Sequence, residues 1–518
     1  MRNYALSILI FMFTITCHVA KAVEIHVKDS AISTNRKSAV MESAKTSFCD
    51  MAWAQIGNKR HYTDFSFTDI AVTGHGSNMG RASLAQTGNK TLGWGVSVKS
   101  LLHLGKNESV YGSASYDNSH TKGITWNENA DFLMIFPYVT GDSIGGFMQN
   151  ESYAFSGGYV RDFSRFSLGA EASYRAVSGF RDKDPRPRNI VSDFSIAVGG
   201  AFLMTSNYRI NADVKLQSYT QNSSISFLAD KGSIPVYNMT GLGADYTRFA
   251  GTYTASRYNA TKWVATLGTM PANSIYGLSA VAKYCHYGMT KILPGASNLP
   301  LLKIDENAFA LQTVYMFNTR RNNAAGIKLD MTATDRQGIE NVVGQSTGNS
   351  FEIMGETAGY RFKHVNATLT LLIENAPADA SGWNWFAEPC IAYSETRTSH
   401  ASLQRHMNFS NFVGTLSLQG RREFGKMSLT LRLTGSYAGN TASSISLNDL
   451  NQEKSIYSTL LHNYDYLSDS HWNTQMKIRI GYALNHIGSL YLSFNGSYSS
   501  YKICGKAYAG TISTGILF

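Results

Sequence analysis

Residues 137–153 read PYVTGDSIGGFMQNESY, and residues 174–188 read YRAVSGFRDKDPRPR. Ionisable side chains lie there beside residues that control the backbone. Gly141, Gly145 and Gly146 reach turns closed to other residues, while Pro185 and Pro187 stiffen their stretch. Asp142, Asp184 and Glu151 are expected to pair with Arg181, Lys183, Arg186 or Arg188. The serine of GDSIGG sits in a glycine turn, yet the G-x-S-x-G spacing and a strand-to-helix context are both missing. His400 and His406 in HASLQRH are too far apart for a helical metal pair and have no Cys or carboxylate partner. Cys49, Cys285, Cys390 and Cys504 are widely spaced and form no C-x-x-C. Neither a metal nor a redox centre is indicated, and one or two disulfides remain open. Basic residues are scattered along the chain without a nucleic-acid-binding motif. The expectation is no enzyme, no catalytic residue, no metal, no cofactor and no nucleic-acid partner.

Most of the remaining charge lies on alternating segments. Residues 208–219 read YRINADVKLQSY, with Ile210, Ala212, Val214 and Leu216 on one parity and Arg209, Asn211, Asp213, Lys215 and Gln217 on the other. A period of two marks an extended strand with one apolar face. The pattern recurs at 92–104, 168–175, 276–284, 327–332, 429–437, 475–482 and 490–498. The polar parity of these strands carries Lys99, Arg175, Arg209, Lys215, Lys283, Lys328, Arg421, Arg432, Lys477 and Arg479. Only Glu171, Asp213 and Asp330 oppose them, ten cations to three acids. Residues 351–362 stand outside this count because a bulge is expected there.

The elements that position these residues read as an all-β transmembrane antiparallel β-barrel. The alternating runs span 10 to 14 residues. That is about twice an ordinary strand and close to the ~9–11 residues a tilted membrane strand needs. Tight links such as GKNE (105–108), DFSR (162–165), EFGK (423–426) and NHIG (485–488) alternate with long ones at 181–192, 220–254 and 439–471. Short periplasmic turns and long extracellular loops are the layout of such barrels. About 18 strands are expected, within a range of 14 to 20, because residues 120–150 and 396–410 could each hide or lack one. The apolar parity then faces lipid, with Tyr174, Tyr284, Tyr437 and Tyr498 at its edges.

Both ends of the chain fit this reading. Arg2, the apolar run Leu6 to Thr16 and Ala20-Lys21-Ala22 form a cleavable secretory signal over residues 1–22. Its removal takes Arg2 and Lys21, leaving 44 basic residues against 36 acids, a net charge of +8. Charged residues make up 16% of the chain, aromatics 12%, and glycines number 45, a composition that suits a long sheet better than a soluble domain. Residues 23–60 lack alternation, and Asn35 to Ala54 has helical spacing; it is either a periplasmic arm or a small plug in the lumen. Residues 61–518 form the barrel, whose last strand ends on the aromatic Phe518, the residue type read by the outer-membrane assembly machinery.

The motifs Pro137-Tyr138, Gly141-Asp142-Ser143-Ile144-Gly145-Gly146, Glu151-Ser152-Tyr153 and Asp184-Pro185-Arg186-Pro187 lie within about 50 residues. In these the sequence resembles a family of Bacteroidota outer-membrane β-barrels of unknown function. The resemblance implies an integral outer-membrane barrel, often encoded beside TonB-dependent uptake genes, with no activity or catalytic residues to carry over. Its partners would be outer-membrane lipid and lipopolysaccharide, the assembly machinery, and a TonB-dependent transporter or lipoprotein. The motif loops, with Asp142, Gly145, Gly146, Asp184 and Arg186, are expected either to fold into the barrel mouth or to brace its rim. A basic lumen focuses a positive potential. The function expected is a porin-like channel or uptake component for small anionic solutes; the alternative is a non-conducting structural or partner subunit of an outer-membrane uptake complex.

Overall fold

The computed structural model describes residues 34–228, 235–251, 253–319, 323–348, 350–375, 382–484 and 488–518. The expected signal segment 1–22 lies outside them, as do residues 23–33. The strands are β1 (Phe67–Asn78), β2 (Lys90–His103), β3 (Glu108–Ile124), β4 (Gly146–Phe163), β5 (Phe166–Phe180) and β6 (Arg186–Leu203). They continue as β7 (Tyr208–Ser226), β8 (Ala255–Pro271), β9 (Gly277–Leu293), β10 (Leu299–Asn318), β11 (Ala324–Thr347) and β12 (Ser350–Asn375). The last six are β13 (Asn384–His400), β14 (Arg405–Phe424), β15 (Met427–Ser446), β16 (His471–Leu484), β17 (Gly488–Tyr501) and β18 (Lys506–Leu517). Each pairs antiparallel with its neighbours in chain order, and β18 returns to β1 from Asp69↔Leu517 to Asn78↔Tyr508. The 18-stranded sheet is therefore closed and leaves no edge of unpaired backbone groups.

The alternation sorts as lipid demands. Ile210, Val214 and Leu216 point outward at 42%, 49% and 57% exposure, whereas Asn211 and Gln221 are buried inside. Tyr284 packs at a tilt beside Trp263 (5.1 Å), Tyr437 beside Trp472 (4.7 Å) and Tyr498 beside Tyr508 (5.3 Å), which forms an aromatic rim around the outer edge of the apolar band. The links 104–107, 164–165 and 425–426 lie at the periplasmic end; 79–89, 125–145, 235–251 and 447–470 lie at the extracellular end.

Several boundaries differ from the sequence reading. Strands are 12 to 26 residues long and run far past the expected ends. Residues 186–192, 220–226 and 439–446 are strand rather than loop, and β4 already begins at Gly146. Above the aromatic rim the outer face meets water, so it turns polar and the alternation fades: on β11 and β12 the outward pair Asp335–Arg361 is an ion pair of 2.6 Å. Residues 120–150 hold no additional barrel strand, and a short 401–404 link separates β13 from β14. The bulge in 351–362 is present, with register shifts opposite Gly338/Ile339 and Val342/Val343. The four cysteines among the described residues, Cys49, Cys285, Cys390 and Cys504, carry free thiols, so no disulfide forms among them.

Candidate functional site: the lumen and its two closures

Residues 34–61 lie inside the periplasmic half of the barrel as α1 (Thr34–Met41), α2 (Ala44–Phe48), α3 (Asp50–Ala54) and a 3-10 turn, Ile56–His61. Phe48 and Ala44 pack on inward side chains of the wall, among them Val314, Met316 and Phe386. Glu42 anchors the segment to the adjoining strands β14–β16. Its carboxylate takes Arg421 at 2.8 Å, Arg479 at 2.9 Å and the Thr430 hydroxyl at 2.6 Å. The Ile56 N–H donates to Asp213 (3.3 Å), and Gly57 lies so close to Gly200 and Ala201 that a Cβ there would stand 2.5 Å from the Ala201 nitrogen. A cavity of about 490 Å³ remains between this segment and β1–β5, bordered by Lys59, Lys99 and Glu171. The segment thus fills only part of the cross-section.

The extracellular mouth is closed by residues 125–145, the hairpin around Tyr237–Gly241, and helix α5 (Ser455–Ser468); the short helix α4 (Phe132–Ile135) faces inward. Trp126, Ile135, Tyr138, Met239, Leu242, Ile456 and Leu460 share one apolar core with Met289, Leu301 and Leu302 of the wall. Cations on the wall hold this cap by its carbonyls. Arg336 donates to Leu133 O (3.0 Å) and Phe136 O (2.7 Å), Lys291 to Val139 O (3.3 Å), and Arg405 to Leu242 O (3.0 Å). Loop carbonyls that would otherwise be buried without donors are thereby satisfied.

The motif residues divide between mouth and rim. Asp142 is fully buried and accepts the N–H groups of Ile144 (2.7 Å) and Gly145 (2.9 Å). Gly145 has φ +63°, and any side chain there would overlap Ile124 O; Gly146 passes against Arg181. Asp184 pairs with Arg186 (2.8 Å) and accepts Leu228 N–H (2.8 Å) on the rim. Arg181 does not pair with Asp142: it forms an ion pair with Glu128, a residue not foreseen, and Asn189 donates to Glu128 O (3.0 Å). Glu151 meets only Asn118 (3.4 Å) among the polar contacts given by described residues. Burial and the adjoining Asp142 carboxyl push the Glu128 pKa up to about 9, against the opposing pull of Arg181. Glu128 Oε1 and Asp142 Oδ2 are both buried without a hydrogen-bond partner among the described residues.

The ten expected lumen cations separate into two groups. Arg175 is bound by Asp131 (2.7 Å) and Asp193 (3.3 Å), Arg432 by Glu388 (2.9 Å), Lys328 by Asp330 (3.8 Å), and Arg421 and Arg479 by Glu42. Lys99, Arg209, Lys215, Lys283 and Lys477 form no such ion pair among the described residues. Lys215 and Lys283 are joined by Lys262, which the sequence reading missed; its signal was the outward parity of Trp263 and Leu267, 41% and 63% exposed. Lys215 pairs across the sheet with Val264, Lys262 with Tyr287, and Lys283 with Thr266, which also pairs with Asp213. The Tyr287 hydroxyl donates to Met134 O of α4 (3.2 Å), while Asp213 accepts Ile56 N–H. The three lysines therefore stand between the levels of the two closures, over roughly 13 Å of strand.

A closed antiparallel sheet with an apolar outer band, an aromatic rim and a polar lumen defines a transmembrane β-barrel of the Gram-negative outer membrane. Within that class the chain belongs to the family of unknown function DUF6850, whose model matches residues 56–518. No curated protein matches the sequence. Among solved structures, the ferric preacinetobactin receptor BauA of Acinetobacter baumannii is similar at 10% identity and TM-score 0.38, over 88% of this chain and 80% of that one. The outer membrane transporter YddB of Escherichia coli is similar at 9% identity and TM-score 0.42, over 88% and 81%. The ferric citrate transporter FecA is similar at 9% identity and TM-score 0.38, over 88% and 78%. Likeness this loose carries no argument about what passes through the lumen.

Proposed function

We propose that this barrel is an uptake component for small anionic solutes, occluded at rest by the cap and by residues 34–61. The observation that carries the reading is the row Lys215, Lys262 and Lys283, three cations on adjacent strands without a carboxylate partner among the described residues. Like charges left together in a confined lumen repel one another, and an anion between them relieves that repulsion. Lys99 and Lys59 border the 490 Å³ gap beside the periplasmic segment, together with Asp50 and Glu171. Arg421, Arg432 and Arg479 are assigned to structure, because their charges are already neutralised.

Reversal potentials of the purified full chain in planar bilayers, under a salt gradient, test this. The openings should be anion-selective, and Lys215→Gln/Lys262→Gln/Lys283→Gln should abolish the selectivity. Cation-selective openings, or selectivity unmoved by the triple variant, would defeat the reading. A second reading, a non-conducting subunit partnered with a TonB-dependent transporter or lipoprotein, is supported by the fastening of both closures; silence under all conditions would favour it.

A further inference from the structure

Leu133 is 67% exposed, although its neighbours Phe132 and Ile135 in α4 are buried at 9% and 0%. It borders a second cavity, of about 450 Å³, which lies between the cap, α5 and the inner face of β12–β14 and is open on one side. Trp126 and Leu133 line it from the cap, Leu460 from α5, and Phe362, Met407 and Phe409 from the wall. Among the described residues, no Asp, Glu, Lys or Arg borders it. Four of its polar neighbours are engaged in pairs: His364 Nδ1 meets Thr396 Oγ1 at 2.9 Å, and Asn463 donates to Gln86 Oε1 at 2.8 Å.

Apolar walls left facing water forfeit the free energy that burial against a ligand would supply. Water gains little in such a space, because it needs two to four polar partners. The size falls within the ~300–1,000 Å³ of small-molecule sites, and the lining has their character of apolar walls with few polar groups. We infer that this cavity binds an uncharged aryl or alicyclic compound. The absence of bordering charge sets it apart from the lysine row, so the inference holds whether or not that row takes an anion.

The test is hydrogen exchange on the full chain in lipid nanodiscs, with 1-bromonaphthalene as the uncharged probe and a naphthalene sulfonate as its charged counterpart. The uncharged probe should protect residues 126–139 and 455–467 saturably, and the sulfonate should not. Leu133→Trp, placed at an exposed position so that the fold persists, should fill the space and weaken the half-saturating concentration about tenfold. Lys215→Gln should leave the response unchanged. No protection in these segments, equal protection by the sulfonate, or an undiminished response in Leu133→Trp would each overturn the inference; heat-modifiable migration of the variant confirms that the barrel is folded.

Discussion

Replacing Glu42 by Gln keeps the shape of the side chain and removes the one charge that joins residues 34–61 to the Arg421/Arg479 pair. Arg421 is 5% exposed and Arg479 17%, so neither guanidinium can turn to bulk water. Removing one partner of a buried ion pair costs about 3–5 kcal/mol. Two contacts moderate the loss: Arg421 keeps Glu423 at 3.2 Å, and Arg479 lies 3.7 Å from the Tyr491 ring. The lower bound of ~3 kcal/mol then applies, about a hundredfold in the ratio of released to seated segment. Hydrogen exchange in nanodiscs should show amides of 34–61 losing about a hundredfold of protection, while strand amides stay unchanged. Bilayer recordings should show longer openings in the same variant. Protection within about twofold of wild type would mean that Phe48 and its apolar neighbours hold the segment by themselves.

Three further outcomes follow from other contacts. The Glu128 pKa, raised from 4.5 to about 9, means that the native cap holds a proton which the unfolded loop releases. Cap stability should therefore be full below about pH 4.5 and fall as pH rises towards 9. Exchange of residues 125–145 should accelerate over that window, and Glu128→Gln should flatten the dependence; acceleration on acidification would refute the raised Glu128 pKa. Gly145→Ala, at φ +63° and against Ile124 O, should expose 125–145 to protease while heat-modifiable migration of the barrel persists. Deleting Phe518, whose N–H donates to Thr68 O at 2.9 Å on the closing strand, should lower the outer-membrane level of the protein, measured by immunoblot of membrane fractions.

The barrel was legible because lipid imposes a rule on each strand separately. Ile210, Val214 and Leu216 must be apolar whatever lies across the lumen, so a period of two survives in the linear chain and sets the strand count, the outward face and the sides of the links. The rule lapses above the aromatic rim, where both faces of a strand meet polar surroundings; hence β7 was cut short at its QNSSIS end. Lys262 was missed because Ala260, Val264 and Ala265 blur the parity around it.

Inward charge obeys no such local rule. Glu42 and Arg421 are 379 positions apart, and nothing near either one announces the other. The ten-to-three surplus of cations in the sequence counted residues on strands, while Glu42 and Asp131 come from segments without alternation and Glu388 from a strand interrupted by Pro389. GDSIGG advertised a special turn, but the partner that gives Asp142 its setting, Glu128, lies in a stretch of no pattern. Transverse alternation is a property of the strand and can be read along it. Which cations are neutralised, which remain free, and where a cavity opens beneath the cap depend on what closure of the sheet brings across the lumen, and only the tertiary structure decides that.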